Sequence, residues 1–205
     1  MINDFVDKIY CLNLDSRPDR WQQSQQEFQK HDLTVDRVSA INGHKLNINL
    51  PGVKPGAMGC SLSHQLAIRM ARQNRYNSVM ILEDDVEFAE NLQQQFADYV
   101  LQIPANWDII YLGGNHQNPP EPLTANVSRI KFSYAAHAVV FRHTVYDMLL
   151  EFSSNLQVAV DVAFAHAQYR SNAFVFTPHL AWQRDSFSDI EQTDVSYQFL
   201  KSHVQ

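Results

Sequence analysis

The feature that most constrains the fold is the stretch 79–88, which reads V-M-I-L-E-D-D-V-E-F. Four apolar residues follow one another and then give way to three acids, Glu83, Asp84 and Asp85. A short apolar run without alternation is typical of a strand that is buried on both faces, as in a parallel sheet covered by helices. The stretch therefore predicts an α/β fold in which the three acids stand at the carboxyl end of an inner strand.

That position indicates that the acids take part in ligand binding, because ligands of open α/β sheets bind outside the carboxyl ends of the strands. Three neighbouring carboxylates repel one another unless a positive group lies among them, and their hard oxygen atoms suit magnesium or manganese. If the chain stays extended there, Glu83 and Asp85 share one face and Asp84 points to the other. The pattern indicates either a divalent-metal site or a solvated acidic loop that follows a core strand.

Length and composition narrow the class of protein. A chain of 205 residues fits one domain with a sizeable core, and its formal net charge of -6 argues against a nucleic-acid surface. The acidic N-terminus does not resemble a signal peptide, and no stretch approaches the roughly 20 apolar residues of a membrane span. Two cysteines, Cys11 and Cys60, are expected to be reduced thiols in the core. A cytoplasmic protein is predicted.

The first strand is predicted over 8–14, and the helix after it brings two arginines to the top of that strand. Arg17 and Arg20 then lie near a helix start, which is a good position for binding phosphate groups. The alternative is that they form surface ion pairs with two neighbouring acids, Asp15 and Asp19. The sequence leaves both roles open.

Serine residues provide the predicted starts of two helices. Ser16 is expected to be the N-cap of a helix over about 18–30, and Ser61 or Ser63 the N-cap of the next. His64 then falls in the first turn of that second helix, where a histidine is more often a structural hydrogen-bonding residue than a ligand.

The remaining elements follow from apolar runs and turn residues. Strands are predicted near 35–38, 107–112, 138–141 and 173–177, and helices over 91–101, 145–152 and 161–169. The segment 115–126, rich in Pro and Asn, is expected to be a mobile loop over the strand ends. The polar tail 183–194 is expected to fold back over the site.

The order of several motifs carries more information than any one of them. N-L-D-S-R-P-D-R at 13–20, G-A-M-G-C-S-L-S-H at 56–64, I-L-E-D-D-V at 81–86 and W-D-I-I-Y-L-G at 107–113 follow one another, and P-H-L-A-W-Q at 178–183 and S-D-I at 188–190 complete the series. This succession resembles glycosyltransferase family 25, which includes lipooligosaccharide and collagen galactosyltransferases. The resemblance implies a GT-A-type fold, a Rossmann-like and mostly parallel sheet flanked by helices.

The resemblance also implies an activity and its partners. The expected reaction moves a sugar, galactose in the commonest case, from a UDP-sugar to a glycan acceptor such as a lipooligosaccharide core, with inversion and with Mn²⁺ or Mg²⁺. A lipid-linked acceptor would bring a cytoplasmic enzyme to the inner face of the membrane. One domain over 1–205 is expected, with a nucleotide-sugar part over about 1–115 and an acceptor part over about 116–205.

By the same resemblance, Asp85 is the metal ligand. The other residues of the implied nucleotide-sugar site line the pocket or hold ribose and water: Asn13, Leu14, Arg17, Arg20, Glu83 and Asp84. No motif identifies the catalytic base. Asp161 stands among apolar residues where a helix should begin, so it is predicted either as the general base or simply as an N-cap. Asp189 is the second candidate.

Two other functions fit the same acids. A nucleotide-sugar-binding module without turnover would keep the acidic triplet but lack an aligned base. A metal-dependent phosphohydrolase would also use acids at a strand end, although two-metal sites usually need a second acidic cluster, and the sequence shows none.

Overall fold

The computed structural model describes residues 1–201 and is built on an eight-stranded sheet. The strands are β1 Lys8–Asn13, β2 Asp36–Ser39, β3 Ser78–Glu83, β4 Val86–Phe88, β5 Ile109–Tyr111, β6 Asn115–His116, β7 Glu121–Pro122, β8 Val127–Arg129, β9 Ser133–Tyr134, β10 Ala138–Arg142, β11 Ala173–Phe176, β12 Ala181–Gln183, β13 Ser186–Ser188 and β14 Thr193–Val195. The helices are α1 Ile2–Phe5, α2 Pro18–Lys30, α3 Pro55–Gln73, α4 Leu92–Val100, α5 Tyr146–Ser153, α6 Val160–Tyr169 and α7 Gln198–Lys201, with 3₁₀ turns at Gly43–Lys45 and His143–Val145.

The central sheet has the order β2-β1-β3-β10-β5-β11-β8-β7. Strands β1, β2 and β3 are parallel neighbours, and β5 and β11 are parallel to each other. Strand β10 lies between β3 and β5 and is antiparallel to both, while β8 is antiparallel to β11 and β7. Apart from β10 and β8, the strands of this sheet run in one direction, as predicted for a mostly parallel α/β fold.

The apolar run of β3 is buried on both faces of the sheet. Met80 and Leu82 belong to one hydrophobic cluster, and Val79 and Ile81 belong to another on the opposite face. Helices α1, α2 and α4 cover the first face, and α3, α5 and α6 cover the second. The missing alternation in the sequence therefore reflects a strand between two helical layers.

Small strand pairs hold the segments around the sheet. Strand β12 pairs with β4, directly after the acids, and β13 forms a hairpin with β14 in the tail. The segment 115–126 is not the plain loop that its composition predicts, because β6 pairs with β9 and β7 extends the central sheet beyond β8. Within residues 1–201, no helix combines the length and the apolar character that crossing a bilayer requires.

The predicted serine N-caps are wrong, although α2 spans 18–30 as predicted. Helix α3 begins at Pro55, with Lys54 as its N-cap, so that Ser61, Ser63 and His64 lie inside the helix. Proline is favoured at the first helical position because its fixed φ suits the helix and its missing N–H has no partner there anyway. Helix α2 likewise begins with a proline after Arg17, and no side chain caps it.

Candidate active site

The three acids lie where the chain turns from β3 into β4. Glu83 is the last residue of β3, and Asp84 and Asp85 form a tight turn before β4 begins at Val86. The chain is thus not extended at the acids, and the predicted sharing of one face by Glu83 and Asp85 does not apply. Asp84 and Asp85 are each only 7% exposed. A solvated acidic loop is therefore excluded as the description of this turn.

A positive group already lies among the acids, and it is Arg20. Its Nε is 3.0 Å from Oδ1 of Asp84, and its Nη2 donates to Oδ2 of Asp85 at 2.5 Å. Arg20 lies in the first turn of α2 and is 8% exposed, so it is a buried counter-ion and not half of a surface pair. One guanidinium faces two carboxylates, which leaves the turn with uncompensated negative charge.

The end of β1, next to β3 in the sheet, orients the turn from the other side. Asn13 donates from Nδ2 to Oδ2 of Asp84 at 2.7 Å and accepts from Nε of Arg37 at 2.8 Å. Leu14 follows it and lines the adjacent pocket. The structure therefore brings Asn13 to Asp84 and Leu14 to the pocket beside the acids, while Asn13 itself is not among the residues that line that pocket.

Arg17 is held by two carboxylates. Its guanidinium donates to Asp19, and its Nη1 donates to Oδ2 of Asp189 at 2.5 Å. The same oxygen of Asp189 is 3.6 Å from Nη1 of Arg20. The surface pair with Asp19 thus exists, but Asp15 pairs with Arg37 instead. The tail folds back as predicted, and the carboxylate of Asp189 lies beside the guanidinium groups of both Arg17 and Arg20.

The first pocket opens in front of β1 and the acidic turn. It is lined by the turn itself, by Leu12, Leu14 and Arg20, by the tail, and by the stretch 40–44. The sequence does not predict this last stretch as part of the site, since Asn42-Gly43 indicates only a turn. Gly43 is required there, because a Cβ atom on it would lie 1.7 Å from the carbonyl oxygen of Pro55.

The second pocket lies on the other side of Glu83 and contains Asp161. Its lining includes Asn115, Tyr134, Gln157 and Asp161. The two pockets have a common wall, formed by the residues that line both: Cys60, Glu83, Gln183, Ile190 and Tyr197. Of the three acids, Glu83 lines both pockets, whereas Asp84 and Asp85 line only the first.

Asp161 is the second residue of α6, whose N-cap is Ala159, so its prediction as a plain N-cap is wrong. Its Oδ1 accepts from the N–H of Val162 at 2.9 Å. Burial raises the pKa of Asp161 above its ordinary value, although backbone hydrogen bonds act in the opposite direction.

The acids differ in their electrostatics. Burial raises the pKa of Asp84 to about 6, although Arg20 acts in the opposite direction, and burial also raises the pKa of Asp85. The pKa of Glu83 is lowered despite its burial, mainly because His64 shares a hydrogen bond of 3.1 Å with it. His64 thus makes a side-chain hydrogen bond, as the sequence predicts, although it lies in the middle of α3 and not in its first turn.

The turn fits a divalent cation. Oδ1 of Asp85 is buried and has no hydrogen-bond partner among residues 1–201. A buried carboxylate oxygen without a partner is costly, and a hard cation would satisfy it. A single guanidinium, that of Arg20, faces the two buried carboxylates of Asp84 and Asp85. Asp85 is the acid that offers a free oxygen.

A largely parallel sheet between two helical layers, with a buried acidic turn at the end of an inner strand, defines a GT-A-type fold. The solved structure of mannose-1-phosphate geranyltransferase from Thermus thermophilus is similar to this chain in fold alone. The two share 10% sequence identity and superpose with a TM-score of 0.50 over 84% of this chain and 74% of that one. Residues 6–164 match Glycosyltransferase family 25 (LPS biosynthesis protein). The chain belongs to this family.

Curated relatives agree with that membership. Procollagen galactosyltransferase 2 of Homo sapiens is 25% identical over 154 residues, which are 62% of this chain and 25% of that protein. A Bos taurus protein described as a probable inactive glycosyltransferase 25 family member 3 is 27% identical over 136 residues, 56% of this chain and 23% of that protein. The chain spans about a quarter of the length of these relatives.

Proposed function

We propose that this chain is an inverting, metal-dependent glycosyltransferase that moves galactose from UDP-galactose to a hydroxyl group of a glycan such as a lipooligosaccharide core. The observation that carries the proposal is the position of Glu83 in the wall between two pockets. Arg20 lines the first pocket together with Asp84 and Asp85, and Asp161 lines the second. Family membership and the galactosyltransferase relative support the choice of reaction. A cytoplasmic enzyme at the inner face of the membrane, acting on a lipid-linked glycan, is part of the same proposal.

The first pocket is proposed to hold the donor. Leu12 and Leu14 at the end of β1 and the stretch 40–44 offer apolar and backbone surface for the nucleoside. Arg17 and Arg20 offer guanidinium groups for the diphosphate, in the position where Asp189 now meets both of them. A phosphate oxygen can replace that carboxylate with the same charge-assisted hydrogen bonds.

The leaving diphosphate gathers negative charge as the bond to the sugar breaks. Manganese or magnesium held by Asp85 would supply Lewis-acid stabilisation of that charge. Arg20 keeps the carboxylates of Asp84 and Asp85 together, and Asn13 fixes the orientation of Asp84. Glu83 lies in the wall where the sugar would meet the acceptor, and its hydrogen bond from Gln183 orients it there.

The second pocket is proposed to hold the acceptor and to supply the base. The acceptor oxygen forms a bond to the anomeric carbon, the bond from that carbon to the diphosphate oxygen breaks, and the hydroxyl proton passes to Asp161. Inversion places acceptor and leaving group on opposite faces of the sugar, which agrees with one pocket on each side of Glu83. Asp161 is preferred to Asp189, because Asp189 is paired with arginines on the donor side.

The test is a panel of UDP-sugars, with and without glycan acceptors, in which UDP release and sugar transfer are measured together. Transfer from UDP-galactose that EDTA abolishes and that manganese or magnesium restores is the expected result. Donor binding without transfer to any acceptor would favour an inactive binding module, the description that one relative carries. Phosphate release without sugar transfer would favour a phosphohydrolase. Either outcome contradicts the proposal.

A further inference from the structure

A cluster of three different ligand types lies in the wall between the two pockets. Cys60, His64 and Glu83 each offer one ligand atom, and these atoms lie within 4.8 Å of one another. Cys60 and His64 are four residues apart on α3 and therefore share one face of that helix. Glu83 meets this face from the end of β3.

Two of the three distances between ligand atoms are close to those of a tetrahedral metal site. Oε1 of Glu83 is 3.1 Å from Nε2 of His64 and 3.9 Å from Sγ of Cys60. Zinc bonds of about 2.0–2.3 Å in a tetrahedron place neighbouring ligand atoms about 3.3–3.6 Å apart. These two separations differ from that range by only a few tenths of an ångström, and the sulfur and the imidazole nitrogen lie within 4.8 Å of each other, so side-chain adjustments would be needed to bring all three atoms onto one ion.

The surroundings also fit a metal ligand set. Gln183 donates from Nε2 to the other oxygen of Glu83 at 3.3 Å, which leaves Oε1 facing the sulfur and the imidazole. Cys60 and Glu83 line both pockets, so an ion can enter and a fourth position remains open to solvent or substrate. Three protein ligands and one open position are typical of catalytic zinc sites.

We propose that Cys60, His64 and Glu83 bind a transition-metal ion of the zinc class, at a site separate from the carboxylate site of Asp85. A thiolate and an imidazole select zinc, cobalt or copper over magnesium and manganese, which prefer oxygen ligands. The thiol proton of Cys60 leaves to solvent as the sulfur–metal bond forms. Binding of the ion replaces the hydrogen bond between His64 and Glu83 with bonds to the metal. It therefore changes the position of Glu83 in the wall between the two pockets.

The test uses the full chain, stripped with a chelator and titrated with Co²⁺ as a spectroscopic probe. Binding to the cluster gives a thiolate-to-cobalt charge-transfer band in the near ultraviolet and tetrahedral d–d bands in the visible. Cys60→Ser removes the charge-transfer band and weakens binding by at least the roughly 10- to 100-fold that loss of an outer-shell partner costs. Zn²⁺ displaces Co²⁺ and abolishes the bands.

Two control variants make the result specific. Cys11 is the other of the two cysteines in the chain and is fully buried in β1, so Cys11→Ala should keep the band. Asp85→Asn should also keep it, because the carboxylate site is separate. Absence of a charge-transfer band in the wild-type protein, its persistence in Cys60→Ser, or its loss in Asp85→Asn would each overturn the proposal. Wild type and Cys11→Ala decide the matter even if Cys60→Ser fails to fold.

Discussion

Replacing Arg20 by methionine should destabilise the protein strongly, because it leaves two buried carboxylates without their counter-ion. Arg20 is 8% exposed, and Asp84 and Asp85 are 7% exposed. Removing one partner of a buried ion pair costs about 3–5 kcal/mol of unfolding free energy. For a chain of this length, that corresponds to a fall in Tm of roughly 6–20 °C. On sequence grounds alone, loss of Arg20 is expected to weaken donor binding and leave stability almost unchanged.

Arg72→Met is the matched control. Arg72 also lies in a helix and donates to Asp147 at 2.6 Å, but the two side chains are 49% and 85% exposed. Met and Arg have similar helix propensities, so both variants keep the helix equally well. An exposed pair of this kind contributes about 0–1 kcal/mol. The Arg20–Asp85 and Arg72–Asp147 pairs have similar distances but different exposure. A difference in stability loss between the two variants therefore measures the effect of burial.

The measurement is urea and thermal unfolding of the two variants and the wild type, in EDTA. A second titration adds manganese, which should recover about 2.7 kcal/mol in Arg20→Met at one hundred times its Kd, since a cation that binds the folded state stabilises it. If Arg20→Met loses no more stability than Arg72→Met, Arg20 is not the counter-ion that holds the acidic turn together.

Three further predictions concern single carboxylates and the donor-side arginine. Asp161→Asn should keep its donor affinity in calorimetry but lower the transfer rate by about 10²–10⁴-fold in a turnover assay, and normal transfer would reject the base assignment. As pH falls, the activity of the wild type should decline at a pH above the ordinary pKa of Asp. Arg17→Ala should weaken UDP binding by about 10- to 100-fold in calorimetry, the effect of one charged hydrogen bond, and unchanged affinity would leave Arg17 only its pairs with Asp19 and Asp189. The pKa of Asp84 is raised to about 6, so its protonation stabilises the fold fully below the ordinary pKa near 3.8, and this contribution is lost as pH rises through about 6. This loss of unfolding free energy amounts to about 3 kcal/mol in the wild type and should be absent in Asp84→Asn when both are unfolded in EDTA over a range of pH. The same dependence of unfolding free energy on pH in both proteins would contradict the prediction.

The fold was predictable because its main signals are local. An unbroken apolar run ending in acids already describes a strand between two helical layers, and β3 is buried in that way. The helix start at Pro55 was missed because a Pro-Gly pair indicates a turn as readily as a first helical turn. The choice between the two depends on the contact of Gly43 and Gly59 with each other's backbone, which no local pattern contains.

The site was predictable in its members but not in their pairing. Arg20 and Asp85 are 65 positions apart in the sequence, whereas Asp15 and Asp19 lie far nearer to Arg20. Only the parallel pairing of β1 with β3 brings the start of α2 beside the turn. The stretch 40–44 enters the first pocket for the same reason, since β2 pairs with β1.

Strand β10 has a consequence for the order in which the chain can fold. Val139 and Phe141 pair with β3 on one side and with β5 on the other, so the middle of the sheet closes only after residue 142 has been synthesised. Until then β3 and β5 each present an unpaired inner edge, and such edges recruit other chains. A truncated chain that ends near residue 115 would therefore aggregate before it could serve as a donor-binding module. During translation, the nascent chain needs protection over the interval between the two strands and the arrival of the third.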